Sequence, residues 1–526
     1  MDVKVVPQKK DEQGPAEKVA PKQEQPAIKM PEPYLASGTF VDKEGKSIKV
    51  ALKADGSFIR TDDPDNTLGE LRIEKNNIEL EDGMVLDILS DPKLKLEFNR
   101  ELIEEKSKNR FNEISRCLKN RLLAEANNEV KIIQQEIHQK LKDGAGEFIT
   151  GKGRSVLQIE QGISDDAKLL DEHARLVRSV VKDEKYGIAP DVEFRSLPYS
   201  PGALGHPDPL YFEGISGDPL ARIQLGKSDT KALSEVVDSA ENLNKMLLAS
   251  ATRVTKGLNE RISQILQSEE FPDAINVSMG ISKIQLISVM YNYLDNGFIS
   301  TRDNQHIYSF PKMREAVYGD KSSQISREDA LRKVATYIDK QLAGESSVFQ
   351  SVQQEYRENI KKLTERGTAI IVASGNERTH YLLKNFPREQ HAELTQNFLC
   401  LSEDVFSVGA VDPQLTTGVG KRSDDKLTDF SSRGKAGFEI DIAAPGEHIL
   451  GRRYSQYQPH NIAVSGGTSF AAPYVAGVFA LVRQANPDLS VRDIFTIMNS
   501  TATINSENVR IINPELVVEA ALKRRK

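Results

Sequence analysis

Residues 466–477 read Gly-Gly-Thr-Ser-Phe-Ala-Ala-Pro-Tyr-Val-Ala-Gly, and this stretch decides how the rest of the chain is interpreted. The two glycines permit a tight turn, and the small residues after Ser469 let a helix approach a core closely. A serine at the start of such a helix lies beside unpaired backbone N–H groups, which can stabilise negative charge on an attacked carbonyl oxygen. Pro473 is expected in the first turn, where its missing N–H costs no bond. The alternative is a tightly packed helix that Ser469 merely caps.

The chain before this helix has the pattern of an α/β domain. Helical patterns such as 233–249 and 354–366 alternate with short apolar segments at 155–159, 191–194, 274–280, 368–376 and 405–411. Strands that alternate with helices predict a three-layer α/β/α sandwich around a mostly parallel sheet. In such sheets the functional residues gather at the carboxyl ends of the strands.

The first part of the chain has a different pattern. Residues 1–34 are rich in Lys, Glu, Gln and Pro, which predicts a disordered arm. Residues 35–143 alternate with the period of strands up to about residue 91 and then follow a helical period. We therefore expect a small β-plus-helix region ahead of an α/β domain at 144–526.

Composition argues against several classes of function. The net charge of −7 and the pI near 5.8 give no electrostatic reason to expect nucleic acid or an anionic membrane as a partner. Two cysteines, Cys117 and Cys400, cannot build a disulfide framework. No apolar run is long enough to span a membrane, and no signal peptide is visible, which favours a cytoplasmic location over secretion.

The pattern Gly-Thr-Ser-x-Ala-x-Pro-x-Val-Ala-Gly at 467–477 resembles the nucleophile motif of the subtilisin-like serine proteases, the subtilases. The resemblance covers about residues 150–510. It implies a polypeptide substrate, with Ser469 as nucleophile. It also implies structural calcium, for which the sequence identifies no ligands, and no cluster of His and Cys indicates another metal or cofactor.

Glu160 stands where the family has an aspartate, at the end of the first α/β strand. The resemblance implies that this carboxylate accepts a hydrogen bond from the catalytic histidine, although glutamate is longer by one methylene. Other carboxylates in the same region are Asp165, Asp166 and Asp171. The opposing interpretation is a surface glutamate in a decayed site.

His173 is the predicted histidine. Residues 173–179 match the family's histidine motif only at His173 and Val177, and the following Gly-Ile-Ala-Pro at 187–190 sets the register. His206 is the main rival.

Asn376 closes an Ala-Ser-Gly-Asn segment that resembles the one supplying the oxyanion-hole amide in the family. A turn asparagine is the alternative. The resemblance implies that an extended substrate pairs with the segment Ser278, Met279 and Gly280. It also implies that Ala373, Ser374 and Gly375 form the facing wall of the specificity pocket.

Two regions depart from the family pattern. An insertion at about 281–353 is mostly helical and charged, and it contains Tyr291, Tyr293, Phe298 and Tyr308. It either covers the cleft, recognises a partner or is a solvated decoration. Residues 1–143 occupy the place of a prosegment that docks on the catalytic domain, and an interaction module is the alternative. The sequence predicts a serine endopeptidase that forms an acyl-enzyme on Ser469. The alternative is a catalytically inactive scaffold that binds a partner.

Overall fold

The structure is a computed structural model, and it describes most of the chain after residue 33. The described residues are 34–64, 66–72, 77–88, 91, 93–98, 102–103, 113–115, 118, 122, 135–161, 172–199, 238–296, 298–301, 304–307, 310–319, 325–344, 347–412, 425–435, 438–455 and 458–525. The predicted disordered arm lies outside the described residues except for Tyr34. The rival residues Asp165, Asp166, Asp171 and His206, and Tyr308 of the insertion, also lie outside them.

An antiparallel sheet forms the first described region. Its strands are β1 Ala36–Val41, β2 Ser47–Leu52, β3 Ser57–Arg60, β4 Thr67–Arg72, β5 Asn77–Leu80, β6 Val85–Asp87 and β7 Leu94–Phe98, in the order β6-β5-β4-β3-β2-β1-β7. Gly45, Gly56 and Gly83 have positive φ in the turns between them. One face of the sheet is apolar, and Ile103 and Leu118 of the following segment pack on it.

A second, mostly parallel sheet is the centre of the α/β region. Its strands are β8 Ser155–Gln161, β9 Glu193–Tyr199, β10 Ala274–Val277, β13 Ala369–Ala373, β14 Val405–Asp412, β15 Lys426–Leu427, β18 Ile442–Pro445, β21 Thr503–Ile504 and β22 Arg510–Ile511. Eight of them follow the order β21-β22-β18-β14-β13-β10-β8-β9, and β15 pairs with β14. The short strands β16 Gly434–Lys435 and β17 Phe438–Glu439 pair with each other outside this sheet. Among the described pairs only β14–β15 and β21–β22 are antiparallel.

Helices cover both faces of this sheet, so the predicted three-layer α/β/α sandwich is confirmed. The helices are α1 Glu172–Val181, α2 Ala240–Gln267, α3 Lys283–Asn296, α4 Pro311–Tyr318, α5 Arg327–Ala343, α6 Val348–Glu365, α7 His391–Thr395, α8 Thr468–Ala485, α9 Val491–Thr501 and α10 Pro514–Lys523. Along β13, Ile371 faces the core formed with α1 and α8, whereas Val372 faces the core formed with α2 and α6. Burial on both sides explains why this strand is continuously apolar. No helix in the described ranges is long and apolar enough to cross a membrane.

Helix α8 is the central helix of the domain. Every residue from Phe470 to Ala485 is buried, and such a helix, apolar on all sides, belongs inside a core. Gly477 is required by a close approach, because a Cβ at this position would lie 2.0 Å from Cγ2 of Ile188. The Gly-Ile-Ala-Pro segment and the nucleophile helix are therefore packed together.

A group of helices forms a separate apolar core beside the sheet. We call α3, α4, α5 and the first half of α2 the helical module. Residues from Leu243 to Ala251 of α2 share this core with α3–α5, whereas Leu258, Ile262 and Ile265 of the same helix pack on the sheet. The insertion predicted at 281–353 corresponds to α3, a hairpin of β11 Phe298–Thr301 and β12 Asn304–Ile307, α4, α5 and the start of α6.

Residues 135–151 connect to the α/β domain by buried contacts. Ile137 is fully buried in the core around α8, and His138 Nε2 lies 3.0 Å from Ile188 O. Burial lowers the pKa of His138. Gln484 near the end of α8 accepts from Thr150 N and Gly151 N through its Oε1. The boundary predicted at 143/144 falls within this packed segment.

Candidate active site

The nucleophile turn joins β20 Gln458–Ser465, which pairs with β19 Ile449–Ser455, to helix α8. Gly467 has a φ of 152°, which favours glycine, and its N–H donates to Gly446 O at 2.7 Å. Ser469 is the second residue of α8, so its backbone N–H has no acceptor inside the helix. The turn presents a partly buried hydroxyl beside the N–H groups of a first helical turn.

Pro473 leaves the backbone carbonyl of Ser469 without its usual hydrogen-bond partner inside the helix. It is the sixth residue of α8 and so lies in the second turn, which corrects its predicted place in the first turn. A proline there removes the N–H that would bond to the carbonyl of Ser469. Ser278 Oγ takes this place by donating to Ser469 O at 2.8 Å, and Ser469 Oγ donates to Ser278 O at 3.3 Å. Two hydrogen bonds thus connect Ser278 and Ser469.

The amide of Asn376 is oriented by the residue before the nucleophile. Its Oδ1 accepts from Thr468 N and from Thr468 Oγ1, both at 2.9 Å. Gly375, whose φ is 109°, turns the chain here and donates from its N to Thr468 Oγ1 at 3.2 Å. Nδ2 of Asn376 then lies beside Gly467, 3.4 Å from the position that a Cβ would take. Asn376 is exposed, so an incoming carbonyl oxygen can reach this donor.

Glu160 and His173 form a close pair. Glu160 lies at the end of β8, and His173 is the second residue of α1; Nδ1 of the histidine is 3.2 Å from Oε2 of the glutamate. The glutamate side chain is 6% exposed and the histidine side chain 41% exposed. A carboxylate on Nδ1 fixes the ring so that Nε2 points away from it and is the nitrogen available for proton transfer.

Phe470 brings this pair to the nucleophile. Its ring lies against that of His173, with the centroids 5.7 Å apart and the planes at 54°. Because Phe470 follows Ser469 directly, the contact places the imidazole at the first turn of α8. The structure therefore gathers Glu160, His173, Asn376 and Ser469 at the carboxyl end of the parallel sheet.

Two buried amides beneath the site were not singled out in the sequence. Gln158 and Asn276 are directly paired in β8 and β10, and both are fully buried on the face that packs against α1 and α8. Gln158 Nε2 donates to Ala174 O at 3.3 Å, which anchors the start of α1. Asn276 Nδ2 donates to Ser278 Oγ at 3.0 Å, which supports the nucleophile contact. The sequence contains a signal for both residues, because each is a polar residue inside an otherwise apolar strand.

The two segments predicted at the substrate cleft lie at the carboxyl ends of β10 and β13, and Ala373 is the last residue of β13. Ser278 is buried, and Met279 and Gly280 are partly exposed; Ala373 and Ser374 are buried, and Gly375 is partly exposed. The amide of Asn397, which no motif indicates, connects these segments by donating from Nδ2 to Met279 O at 3.2 Å and Ala373 O at 2.8 Å.

Glu377 is a further carboxyl group, and it directly follows Asn376. Its Oε1 accepts from Gln285 Nε2 of the helical module at 3.0 Å. Burial raises the pKa of Glu377, and hydrogen bonds from backbone N–H groups oppose this shift only in part. The helical module therefore contacts the residue that directly follows Asn376.

The resemblance implies structural calcium, which carboxylates and backbone or amide carbonyl oxygens can bind. Within the ranges that the structure covers, no group of three or more His, Cys, Asp or Glu residues could hold a metal ion. The structural calcium that the resemblance implies stays a prediction.

A model of a known protein family matches the chain. The model described as the Subtilase family matches residues 249–517, just over half of the chain. This range contains Ser278, Asn376 and Ser469, whereas Glu160 and His173 precede it. The roles of the last two residues therefore depend on their geometry.

Individual relatives match shorter parts of the chain. Subtilisin DY from Bacillus licheniformis is 26% identical over 213 residues, which cover 40% of this chain and 66% of that protein. Serine protease AprX from Bacillus subtilis (strain 168) is 33% identical over 113 residues, which cover 19% of this chain and 25% of that protein. The chain thus spans less than two thirds of these relatives' own length. A crystal structure of a cold adapted subtilisin-like serine proteinase has 16% identity and a TM-score of 0.32, covering 69% of this chain and 89% of that chain.

Proposed function

The chain belongs to the subtilase family, and from this premise we propose that it is a serine endopeptidase whose triad is Glu160, His173 and Ser469. The contact of 3.2 Å between Glu160 Oε2 and His173 Nδ1 is the observation that supports this proposal most strongly. A glutamate at the surface of a decayed site has no reason to be buried against an imidazole, because burying a carboxylate costs free energy unless it is paired. Polypeptide is the substrate that the family implies.

The reaction begins with attack by Ser469 on the carbonyl carbon of the scissile peptide bond. His173 Nε2 removes the proton of the Ser469 hydroxyl as the new C–O bond forms, and Glu160 stabilises the resulting imidazolium through Nδ1. The carbonyl oxygen, now negative, accepts from Asn376 Nδ2 and from the backbone N–H of Ser469. Thr468 keeps Asn376 in the required orientation because it occupies the other end of the amide.

Collapse of this intermediate breaks the C–N bond, and His173 returns the proton to the leaving amine. An acyl-enzyme on Ser469 remains, and water then attacks it by the same route with His173 again as the base. The chain order carboxylate, histidine, serine is that of subtilisin, and it differs from the orders found in chymotrypsin and in the α/β-hydrolases.

The test is hydrolysis of an unfolded protein substrate by the full chain. We expect new amino termini to accumulate with the wild type and not with Ser469→Ala. An activated ester should also release one equivalent of product in a burst, because acylation precedes the slower deacylation. A folded wild type that shows neither hydrolysis nor a burst would favour the inactive scaffold, the alternative that the aspartate-to-glutamate change suggests.

A further inference from the structure

A gap between two strand ends opens beside the nucleophile. Strands β10 and β13 are paired as far as Val277 and Val372, and their chains then continue on either side of Ser469. On one side Ser278 O is 3.3 Å from Ser469 Oγ, and on the other Gly375 N is bonded to Thr468. A peptide attacked by Ser469 must place in this gap the side chain of the residue that carries the attacked carbonyl, the P1 residue.

The side chain of Asn397 fills this gap. It is 3% exposed, and its Nδ2 donates to Met279 O on one side and to Ala373 O on the other. Its Oδ1 accepts from Leu399 N at 3.0 Å. These partners determine the orientation of the amide, because two carbonyl groups require the NH₂ end and an N–H requires the oxygen.

The side chain of Asn397 lies in contact with Gly280. A Cβ built on this glycine would lie 2.1–2.3 Å from Nδ2, Oδ1 and Cγ of Asn397, so the flat face of the amide lies directly on the glycine. The backbone of Asn397 is also fixed, since it forms a bridge with Ser282 and Phe398 N donates to Ile281 O at 3.0 Å. These contacts hold the amide as part of the wall of the gap.

Gly375, on the other side of the gap, also lies against polar side chains. A Cβ on Gly375 would lie 2.5 Å from Glu377 Oε2 and 3.1 Å from Ser432 Oγ. Glu377 is held there by Gln285. Both glycines of the gap thus face polar side chains that are already hydrogen-bonded.

We propose that Asn397 is the specificity-determining residue of this protein and restricts the P1 residue to a small uncharged side chain, as in Gly, Ala or Ser. This inference rests on the proposed endopeptidase function. A Leu or Phe side chain would have to displace an amide that makes three hydrogen bonds, and the unpaired carbonyl groups left behind would cost free energy. A Lys side chain is also long and would have to displace the same amide.

The first measurement uses tetrapeptide p-nitroanilides that differ only in the last residue, which is Ala, Ser, Leu, Phe or Lys. We expect the wild type to give kcat/KM at least about ten-fold higher for Ala and Ser than for Leu, Phe and Lys, because pocket misfits of this size change rates by that factor or more. Equal or greater activity toward Phe or Lys would overturn the proposal while leaving the endopeptidase function intact. No turnover of any substrate would instead contradict the endopeptidase function itself.

The second measurement compares Asn397→Ala with Asn486→Ala. Asn486 is a matched control, because it is 2% exposed, donates to Ala521 O and accepts from Asp488 N in the same way, far from the cleft at the end of α8. We expect the Phe-to-Ala ratio of kcat/KM to rise about ten-fold in Asn397→Ala and to stay constant in Asn486→Ala. An unchanged ratio in Asn397→Ala would refute the proposal.

A rescue variant covers the case in which Asn397→Ala does not fold. Gly280→Ala alone should lower the melting temperature, because its methyl group meets the amide, and Gly280→Ala combined with Asn397→Ser should recover part of this loss. The combined variant then supplies the P1 ratio. Absence of recovery would show that the amide does not fill the gap.

Discussion

Glu160 lies at the end of β8, and its Oε2 is 3.2 Å from His173 Nδ1. The start of α1 has a second anchor on the same strand, since Gln158 Nε2 donates to Ala174 O. Gln158 lies two residues before Glu160, so both side chains leave the same face of the strand. One fixes the ring of residue 173 and the other fixes the next backbone carbonyl.

We predict that Gln158→Met lowers kcat by about ten- to a hundred-fold with little change in KM, because small misplacements of a catalytic group have costs of this size and Gln158 does not reach the substrate. In a Glu160→Gln background the same change should have little further effect, since the histidine has already lost its orientation. Gln353→Met is the control, because Gln353 is 2% exposed and also donates one bond of 3.3 Å, to Thr255 on α2. Steady-state kinetics of the four variants would contradict this role if KM rose instead of kcat falling, or if the effects were additive.

Glu377 gives a prediction for the dependence of stability on pH. Its pKa is raised by burial, so the free energy that it contributes to folding is fully present below its unfolded pKa and is lost as the pH rises through its folded pKa. We predict that Glu377→Gln is more stable than the wild type at neutral pH, since an uncharged amide avoids the desolvation cost. The advantage should shrink as the pH falls toward the ordinary range of a glutamate. Urea denaturation of the wild type and of Glu377→Gln between pH 4 and pH 8 measures this difference. An advantage of the variant that grew as the pH fell would contradict the prediction.

The residues proposed to carry the chemistry lie in recognisable motifs of the sequence, whereas those that position them do not. Ser469 and Asn376 lie in short motifs whose turn geometry is local. Asn397 contacts Met279, which is 118 residues away in the chain, and nothing near Asn397 in sequence indicates this. Pro473 illustrates a different limit, because its neighbours do not show that Ser278 would bond to the carbonyl that the proline leaves unpaired.

Among the elements, the parallel strands were the most predictable because burial on both faces makes them continuously apolar. The ends of the helices were harder to predict from the sequence. Helix α4 begins at Pro311 without a cap from its own residues, since Phe310 precedes it. The cap comes from Asp238, whose carboxylate accepts from Lys312 N at 3.0 Å and from Met313 N at 2.8 Å. No local pattern around Pro311 contains that information.

We predict that Asp238→Ala destabilises the helical module by about 1–2 kcal/mol, the usual cost of losing a helix cap. Amide hydrogen exchange at Met313 should become faster, because its N–H loses its acceptor. Ser326→Ala is the matched comparison, since Ser326 caps α5 locally and is exposed. Its effect should be confined to the start of α5. If exchange in α4 were as slow in Asp238→Ala as in the wild type, the distant cap would not contribute to stability.

At the scale of the whole molecule, residues 135–151 contact the α/β domain far from Ser469. Gln484, which holds Thr150 and Gly151, lies 15 residues after Ser469 on α8, a distance of about 22 Å along a helix. Residues 135–151 therefore contact the domain at the opposite end of α8 from the nucleophile. The prosegment predicted for residues 1–143 stays a prediction, and cleavage at 143/144 by the same molecule would require this segment to leave its packed position.

We predict that a chain beginning at residue 135 keeps the stability of the α/β domain, whereas one beginning at residue 144 loses about 2–5 kcal/mol. The reason is that the shorter chain lacks Ile137, and removing a buried isoleucine side chain has this cost. Ile137→Ala in the full chain serves as the matched variant and should show a comparable loss. Equal thermal unfolding of the two shortened chains would mean that residues 135–143 do not belong to the folded domain.

Reaction of the full chain with a fluorophosphonate probe tests the proposed triad most directly. The account predicts that the wild type is labelled on Ser469 and that Ser469→Ala is not. It also predicts that His173→Ala and Glu160→Gln react more slowly, by up to about 10⁴-fold, because each loses the base or its orientation. Gln353→Met should react like the wild type. A folded wild type that is not labelled, or labelling that proceeds equally without His173 or the Glu160 carboxylate, would contradict the account.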